Sequence, residues 1–310
     1  YLVDRELPVN LGNFESRERL YEWFRARVPD LDQQELAEEA REIREDQSLG
    51  LTAGEKAARL AELRRVVRPI NWSVYVAAAA GTANAVFGGP YAVRVAAACV
   101  LIVGPFALLM LAIAHPGHVR LGSREGSAYA DGYGGIFWGG LMLGLMSLMD
   151  PHTLLGEEFH YWTAAVAAGF GGLWLYTEWV RLAEHLRSYV IVLAVLGVGF
   201  FSALWAGGTI YQLNTAADFS AAAWGESRVS ELRRRHTRGG DTYLVTVEPW
   251  SASRVPVELE VSRATYRTLR VGMRVEIGVR PGLLGIPWVD EVRPKLSPTP
   301  SAPPTPPGKR

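Results

Sequence analysis

The longest apolar stretch in the chain runs from Tyr189 to Leu213, 25 residues without Asp, Glu, Lys, Arg or His. A helix needs about 20 apolar residues to cross the hydrocarbon core of a bilayer. Peptide groups in lipid must pair within their own segment, so such a run is expected to be helical. Tyr189 and Tyr211 lie near its ends, where aromatic rings favour the headgroup zone. Four further apolar stretches precede it, and the pattern predicts spans near 70–88, 92–114, 134–149, 162–180 and 189–213. Gly135/Gly139 and Gly140/Gly144 in the third span follow the small-x-x-x-small spacing that lets helix backbones approach. Gly169 and Gly172 offer similar flatness in the fourth.

The flanks have other periods. Residues 1–9 suggest a short strand. A helix capped by Asn13 or Ser16 would run to about Arg27, and Pro29 would stop it. Asp32/Glu35 and Thr52/Glu55 both have capping-box spacing, so two more helices are expected before Arg68. Residues 1–69 therefore read as a strand and a helical arm. Beyond the last span, Phe219, Trp224, Val229 and Leu232 suggest one side of a linking helix over 214–239. From there the period changes to two. Residues 242–248, 255–261, 273–279 and 286–292 read as strands, with a short helix capped by Ser262. Val245, Val247, Leu259, Val261, Val275, Ile277 and Val279 would share one core, and Gly272 and Gly285 stand where tight turns are needed. A small barrel or curled sheet over 240–293 is expected, then a Pro-rich tail over 294–310.

The expected fold is thus an α-helical integral membrane bundle of about five transmembrane helices, with an N-terminal helical arm and a small C-terminal β-barrel-like domain. Charge agrees with this division. Residues 71–213 hold 12 charged side chains and the flanks hold 52, although the whole chain is neutral. Arg64, Arg65, Arg68, Arg120, Arg124, Arg181 and Arg187 fall in segments that five spans would place on one side. The 150–161 loop carries only acidic charges. By the positive-inside tendency the N-terminus is expected to be cytoplasmic and the C-terminal domain extracytoplasmic, in a bacterial inner membrane. Arg233, Arg234 and Arg235 run against this, although long domains translocate largely regardless of charge. The single cysteine, Cys99, rules out an intramolecular disulfide and a thiolate metal cluster. The chain opens on Tyr1 without a recognisable signal peptide, which leaves room for residues upstream.

Candidate chemistry is sparse. Asp150, His152, Glu157, Glu158 and His160 form the densest polar cluster, of residue types that bind zinc, iron or manganese. A solvated loop explains the same residues. His115 and His118 flank a Pro-Gly turn. Glu178 is an intramembrane carboxylate, with Arg181 three residues on and Arg94 as another charge partner. No phosphate loop or nucleophile motif is present, and no cofactor is expected. The Arg233–Arg238 cluster lacks interleaved aromatics, which suits lipid headgroups better than nucleic acid. Trp250 and Trp288 are the candidate binding anchors of the β domain, and the alternative is that both fill its core.

Two resemblances add to this. The opening LPVNLGNFESRERLYEWF resembles the last strand and helix of bacterial PH-like domains fused to membrane proteins. The pattern Tyr243-x-Val245-x-Val247, Pro249-Trp250, Tyr266-x-x-Leu269-x-x-Gly272-x-x-Val275 and Pro281-Gly282-x-x-Gly285-x-Pro287-Trp288 is similar to the soluble domain of a multi-pass inner-membrane protein family of Gram-negative bacteria. That resemblance spans about residues 160–292 and implies no known activity. The expected role is non-enzymatic, with the lipid bilayer as one partner and a protein or envelope component held by the β domain as another. A transporter or channel subunit, and a metal-dependent membrane enzyme using the 150–160 loop, are the alternatives.

Overall fold

The computed structural model describes Trp23 and residues 31–295, except 88, 122–126, 151, 186–187 and 238–239. The strand expected over 1–9, nearly all of the helix expected to Arg27 and of the PH-like resemblance, and the tail from 296 lie outside these residues.

Helix α1 (Leu31–Glu45) ends at a short turn, Gln47–Leu49, and α2 (Ala53–Phe87) follows. The capping box at the start of α2 is reciprocal. Glu55 N–H donates to Thr52 Oγ1 at 3.2 Å, and Thr52 N–H donates to Glu55 Oε2 at 3.0 Å. Helix α2 is continuous through Pro69, which sits inside it. The expected break between arm and bundle is therefore absent: the arm's last helix and the first apolar stretch are one 35-residue rod. Lys56 fastens α1 to this rod by donating to the terminal carbonyls of Ile43 and Arg44 at 3.0 and 2.6 Å.

Four more long helices follow: α3 (Tyr91–Ala114), α4 (Tyr133–Leu148), α5 (Glu158–His185) and α6 (Ser188–Ala216). Between α3 and α4, β1 (Val119–Arg120) pairs parallel with β2 (Ala130–Asp131). This ladder docks the arm. Arg120 bonds Glu42 at 2.7 Å, while His118 Nε2 meets Asp46 Oδ2 at 2.9 Å and Ser48 Oγ at 3.0 Å. The His115/His118 pair thus contributes an arm contact through His118.

Helix α4 is central because its glycines admit neighbours on two faces. A Cβ on Gly139 would meet Pro105 at 2.4 Å, and one on Gly135 would meet Leu108 at 2.4 Å and Asn71 at 2.3 Å. Asn71 uses that proximity, accepting from Gly135 N–H at 3.0 Å and donating to Asp131 O at 2.6 Å. On the other face, Gly140 and Gly144 lie against Phe201, Leu204 and Trp205 of α6. The two spacings in the sequence thus seat two different partners. Gly169 and Gly172 differ from expectation: nothing lies within 4 Å of either, and Gly171 is the one packed against Ser202.

The expectation of about five transmembrane helices is corrected. Among the described residues, only Tyr91–Ala114 and Ile191–Ala216 are long and apolar enough to cross a membrane. At 16 residues α4 reaches about 24 Å, short of a hydrocarbon core of about 30 Å. The apolar half of α2 contains Asn71, Ser73, Thr82 and Asn84, and α5 carries Glu158, His160, Thr163 and Glu178. Low charge is not the same as high hydrophobicity, and Gly, Thr, Tyr and Trp dilute these stretches.

The C-terminal sheet has five antiparallel strands in the order β5-β4-β3-β6-β7. These are β3 (Ala223–Thr237), β4 (Gly240–Val247), β5 (Val257–Val261), β6 (Arg274–Arg280) and β7 (Trp288–Pro294), with α7 (Arg263–Thr268) after β5. Ser262 caps α7, accepting from Thr265 N–H at 3.1 Å. The expected core forms around Val245, Val247, Leu259, Val275 and Ile277, with Val261 partly buried beside it. Gly272 and Gly285 turn at φ +83° and +74°, in the left-handed region that glycine tolerates.

The linking helix expected over 214–239 is wrong. Helix α6 ends at Ala216, and residues 223–237 form the central strand of the sheet, paired with β6 through its first half and β4 through its second. A bulge between Val229 and Glu231 explains the misreading. One extra residue puts Val229 and Leu232 toward the same core although they are three apart, which mimics a helical spacing.

Candidate functional site

The sheet is held against one end of the helical bundle, and the buried polar residues Thr209, Gln212, Asn214, Thr215 and Asp218 gather toward that end. The last turns of α6 supply Gln212 and Asn214, both buried. Asn214 donates to Ile286 O at 2.8 Å and accepts from Leu284 N–H at 3.1 Å, while its own carbonyl accepts from Leu283 N–H at 3.2 Å. Four residues on, Asp218 accepts from Gly282 N–H at 2.9 Å and from the Trp288 indole at 3.0 Å. Burial alone would raise the Asp218 carboxyl, but the hydrogen bonds from Ser220, Trp288 and Gly282 outweigh it and hold the group below the usual carboxylate range. Arg280 bridges Asp290 at 2.9 Å and Ser220 O at 3.0 Å.

The loop after α4 completes the junction. Leu154 forms an antiparallel bridge with Trp288; Leu155 N–H donates to Pro287 O at 2.7 Å and Val289 N–H donates to Thr153 O at 2.9 Å. The loop thus adds a short strand to the edge of β7, and Leu155 enters the sheet core. Asp150 bonds His152 Nδ1 at 2.5 Å through one carboxylate oxygen and pairs with Arg94 through the other. Tyr211 OH donates to His152 O at 3.0 Å, and the His152 ring stands edge-on to Trp288 with centroids 4.8 Å apart.

His152 has its pKa pushed down to about 4, first by burial and then by the Arg94 charge. The imidazole is neutral at neutral pH. Facing a carboxylate already paired with Arg94, its Nδ1 carries the proton and Nε2 is left as an acceptor. His152 and Thr153 line one end of a cleft of about 370 Å³ between the two edge strands, walled by Leu259 and Val261 on β5 and by Val289 and Val292 on β7. Two of the cleft's three hydroxyls, Ser262 and Thr265, bond each other at 2.9 Å as the cap of α7. They form no nucleophile–base pair with His152.

Of the five residues proposed as metal ligands, only Asp150 and His152 are brought together. Glu157, Glu158 and His160 are exposed at the start of α5. Among the described residues no group of three or more His, Cys, Asp or Glu could hold a metal ion. Trp250 and Trp288 are 8% and 4% exposed, so both fill the interior rather than offering anchors. Glu178 lies at the opposite end of the bundle from Arg94, where its carboxylate accepts from Leu121 N–H at 2.8 Å. The Arg181 side chain lies outside the described residues. Asn214, Asp218, Arg280 and the 153–155 segment were not singled out from the sequence. The signal that was there is the run of Gln212, Asn214 and Thr215 closing an apolar helix.

Neither a protein-family model, nor a curated protein, nor a solved structure matches this chain.

Proposed function

We propose that this chain is a membrane-embedded binding protein, whose helical bundle is seated in a bilayer by α3 and α6 with α2, α4 and α5 packed beside them, and whose sheet is presented to a protein or envelope partner. The observation that carries this reading is the placement of exposed apolar side chains. Val103, Phe106 and Met110 on α3, and Val192, Leu193, Leu196 and Phe200 on α6, face outward. Only 44% of the apolar window of α3 and 22% of that of α6 is buried inside the protein. The core helix of a water-soluble protein would be mostly buried, whereas a bilayer covers such a belt.

The two polar parts sit at opposite ends of this belt. In the segments next to the belt, Arg64, Arg65, Arg68 and Arg120 lie at the arm end and Asp150, Glu157 and Glu158 at the sheet end, while Arg233, Arg234 and Arg235 lie farther off on β3. That asymmetry supports a cytoplasmic arm and an extracytoplasmic sheet in an inner membrane. With Trp250 and Trp288 buried, the contact surface is assigned to the outer face of β3. There Trp224 is 43% exposed and Arg293 stacks 3.4 Å from its ring centroid. Tryptophan and arginine are the residue types that dominate binding hot spots.

Alkaline carbonate extraction followed by density flotation tests the membrane reading. The full chain should stay with the lipid fraction, and release into the soluble fraction would count against it. With Cys99 replaced, Ser251→Cys should react with an impermeant maleimide on intact spheroplasts, and Glu45→Cys only after permeabilisation. The reverse would invert the orientation.

A further inference from the structure

We propose that the furrow between α2 and α4 seats a single acyl chain of a membrane lipid, an inference that rests on the bilayer reading above. The furrow has a volume of about 700 Å³. Its floor is Ala78, Ala79 and Ala83; Tyr75 and Trp138 close one end, and Phe87 lies at the other. Small side chains on adjacent turns leave a trough where larger ones would fill the space between the helices.

Its dimensions select the occupant. From Tyr75 to Phe87 is 12 residues, about 18 Å along a helix. One leaflet of hydrocarbon is about 15 Å deep, half of a core of about 30 Å. A helix of the same length is at least about 10 Å across and would need roughly twice the available volume. A single extended chain fits, and a helix from a second copy does not.

The chemistry selects the tail over the head. The Thr82 hydroxyl, the only aliphatic hydroxyl in the lining, is turned to Met142 Sδ at 3.4 Å. Arg94, in the first turn of α3 at the sheet end of the bundle, is paired with Asp150. Nothing in the lining carries a charge. The site therefore takes the chain of any phospholipid and does not distinguish anionic from zwitterionic headgroups.

The test is native mass spectrometry of the full chain extracted from membranes in mild detergent. The wild type should retain one phospholipid per protomer, equally from phosphatidylcholine and phosphatidylglycerol bilayers. Ala79→Phe with Ala83→Phe fills the trough. Each methylene expelled weakens binding about fourfold, so occupancy should fall at least about tenfold. Leu196→Phe, on the outward face of α6, should retain the lipid. A second readout does not depend on the filled variant folding. In vesicles of chain-brominated phosphatidylcholine, the emission lost on Trp138→Phe should be the strongly quenched part. A filled variant that folds and keeps its lipid, or an unquenched Trp138, overturns the proposal. So does a dimer that the filled variant dissolves, which would make the furrow a contact between copies. If the wild type floats with membranes yet retains no lipid, the acyl site fails while the membrane reading stands. If it does not float, both fail.

Discussion

The carboxylate of Asp218 accepts the indole N–H of Trp288 at 3.0 Å, 70 residues away in sequence. The segment leaving the bundle and the last strand of the sheet therefore share a buried, charge-assisted hydrogen bond. Asp218→Ala removes the acceptor for Trp288, Gly282 and Ser220 together. Buried donors left unpaired cost about 1–3 kcal/mol each, so a loss of about 3 kcal/mol is expected. Thermal unfolding followed by tryptophan emission measures it, and an unchanged midpoint would show that the junction adds no stability.

His152 should make stability depend on pH. Its folded pKa of about 4 lies below the ordinary 6.5, so between these values the unfolded chain binds more protons than the folded one. The sign follows: the contribution is complete above about pH 6.5 and is lost as pH falls toward 4. From pH 6.5 to 5 the loss is about 2 kcal/mol, at 1.36 kcal/mol per pH unit. The groups facing the ring are Asp150, Arg94, Asp290 and Arg280. His152→Asn, which can still donate to Asp150, should flatten this part of the profile. Chemical denaturation at pH 5 and pH 7 compares the two proteins, and parallel profiles would remove His152 as the cause.

Two glycine substitutions separate packed from open helix faces. A Cβ at Gly140 would lie 3.1 Å from Phe201 O and 3.4 Å from Trp205 Cβ, whereas Gly169 has nothing within 4 Å. Gly140→Leu is expected to cost about 1–3 kcal/mol through overpacking. Gly169→Leu should change stability by no more than about 0.5 kcal/mol. Detergent thermal melts of both variants decide the matter, and equal effects would contradict the described α4–α6 contact.

The sheet should require β3. A fragment of residues 218–295 keeps all five strands, while 240–293 leaves β4–β5 and β6–β7 as two hairpins with no strand between them. Isolated two-stranded hairpins are marginal in water. Far-ultraviolet circular dichroism should show a cooperative β melt for the longer fragment only. A cooperative melt from the shorter one would mean that the two hairpins pair directly.

Much of the local structure was legible in the sequence. Alternation located β4, β5, β6 and β7, and the Thr52/Glu55 and Ser262 caps stand where their spacing put them. What misled was arithmetic that tertiary structure changes. The bulge beside Val229 gave a strand a helical spacing. Counting charges made α2, α4 and α5 resemble α3 and α6. The junction could not be read at all. Asn214 meets Ile286 across 72 residues, and no local pattern encodes a partner that distant. Local pattern left Trp250 and Trp288 open between anchor and core, since an indole's exposure depends on what folds over it, and both are buried.

The docking of residues 153–155 on the edge of β7 sets an order of events during synthesis. The loop is made about 130 residues before the strand that satisfies it. Until Trp288 and Val289 have left the ribosome, the amide of Leu155 and the carbonyl of Thr153 have no strand to meet, and Asn214 has no Ile286. A chain terminated before that point would carry helices of the right composition ending in open polar groups. Such a product should be recognised as unfinished by quality-control proteases. The last fifteen or so residues of the sheet thus act as the latch by which a completed chain differs from a truncated one.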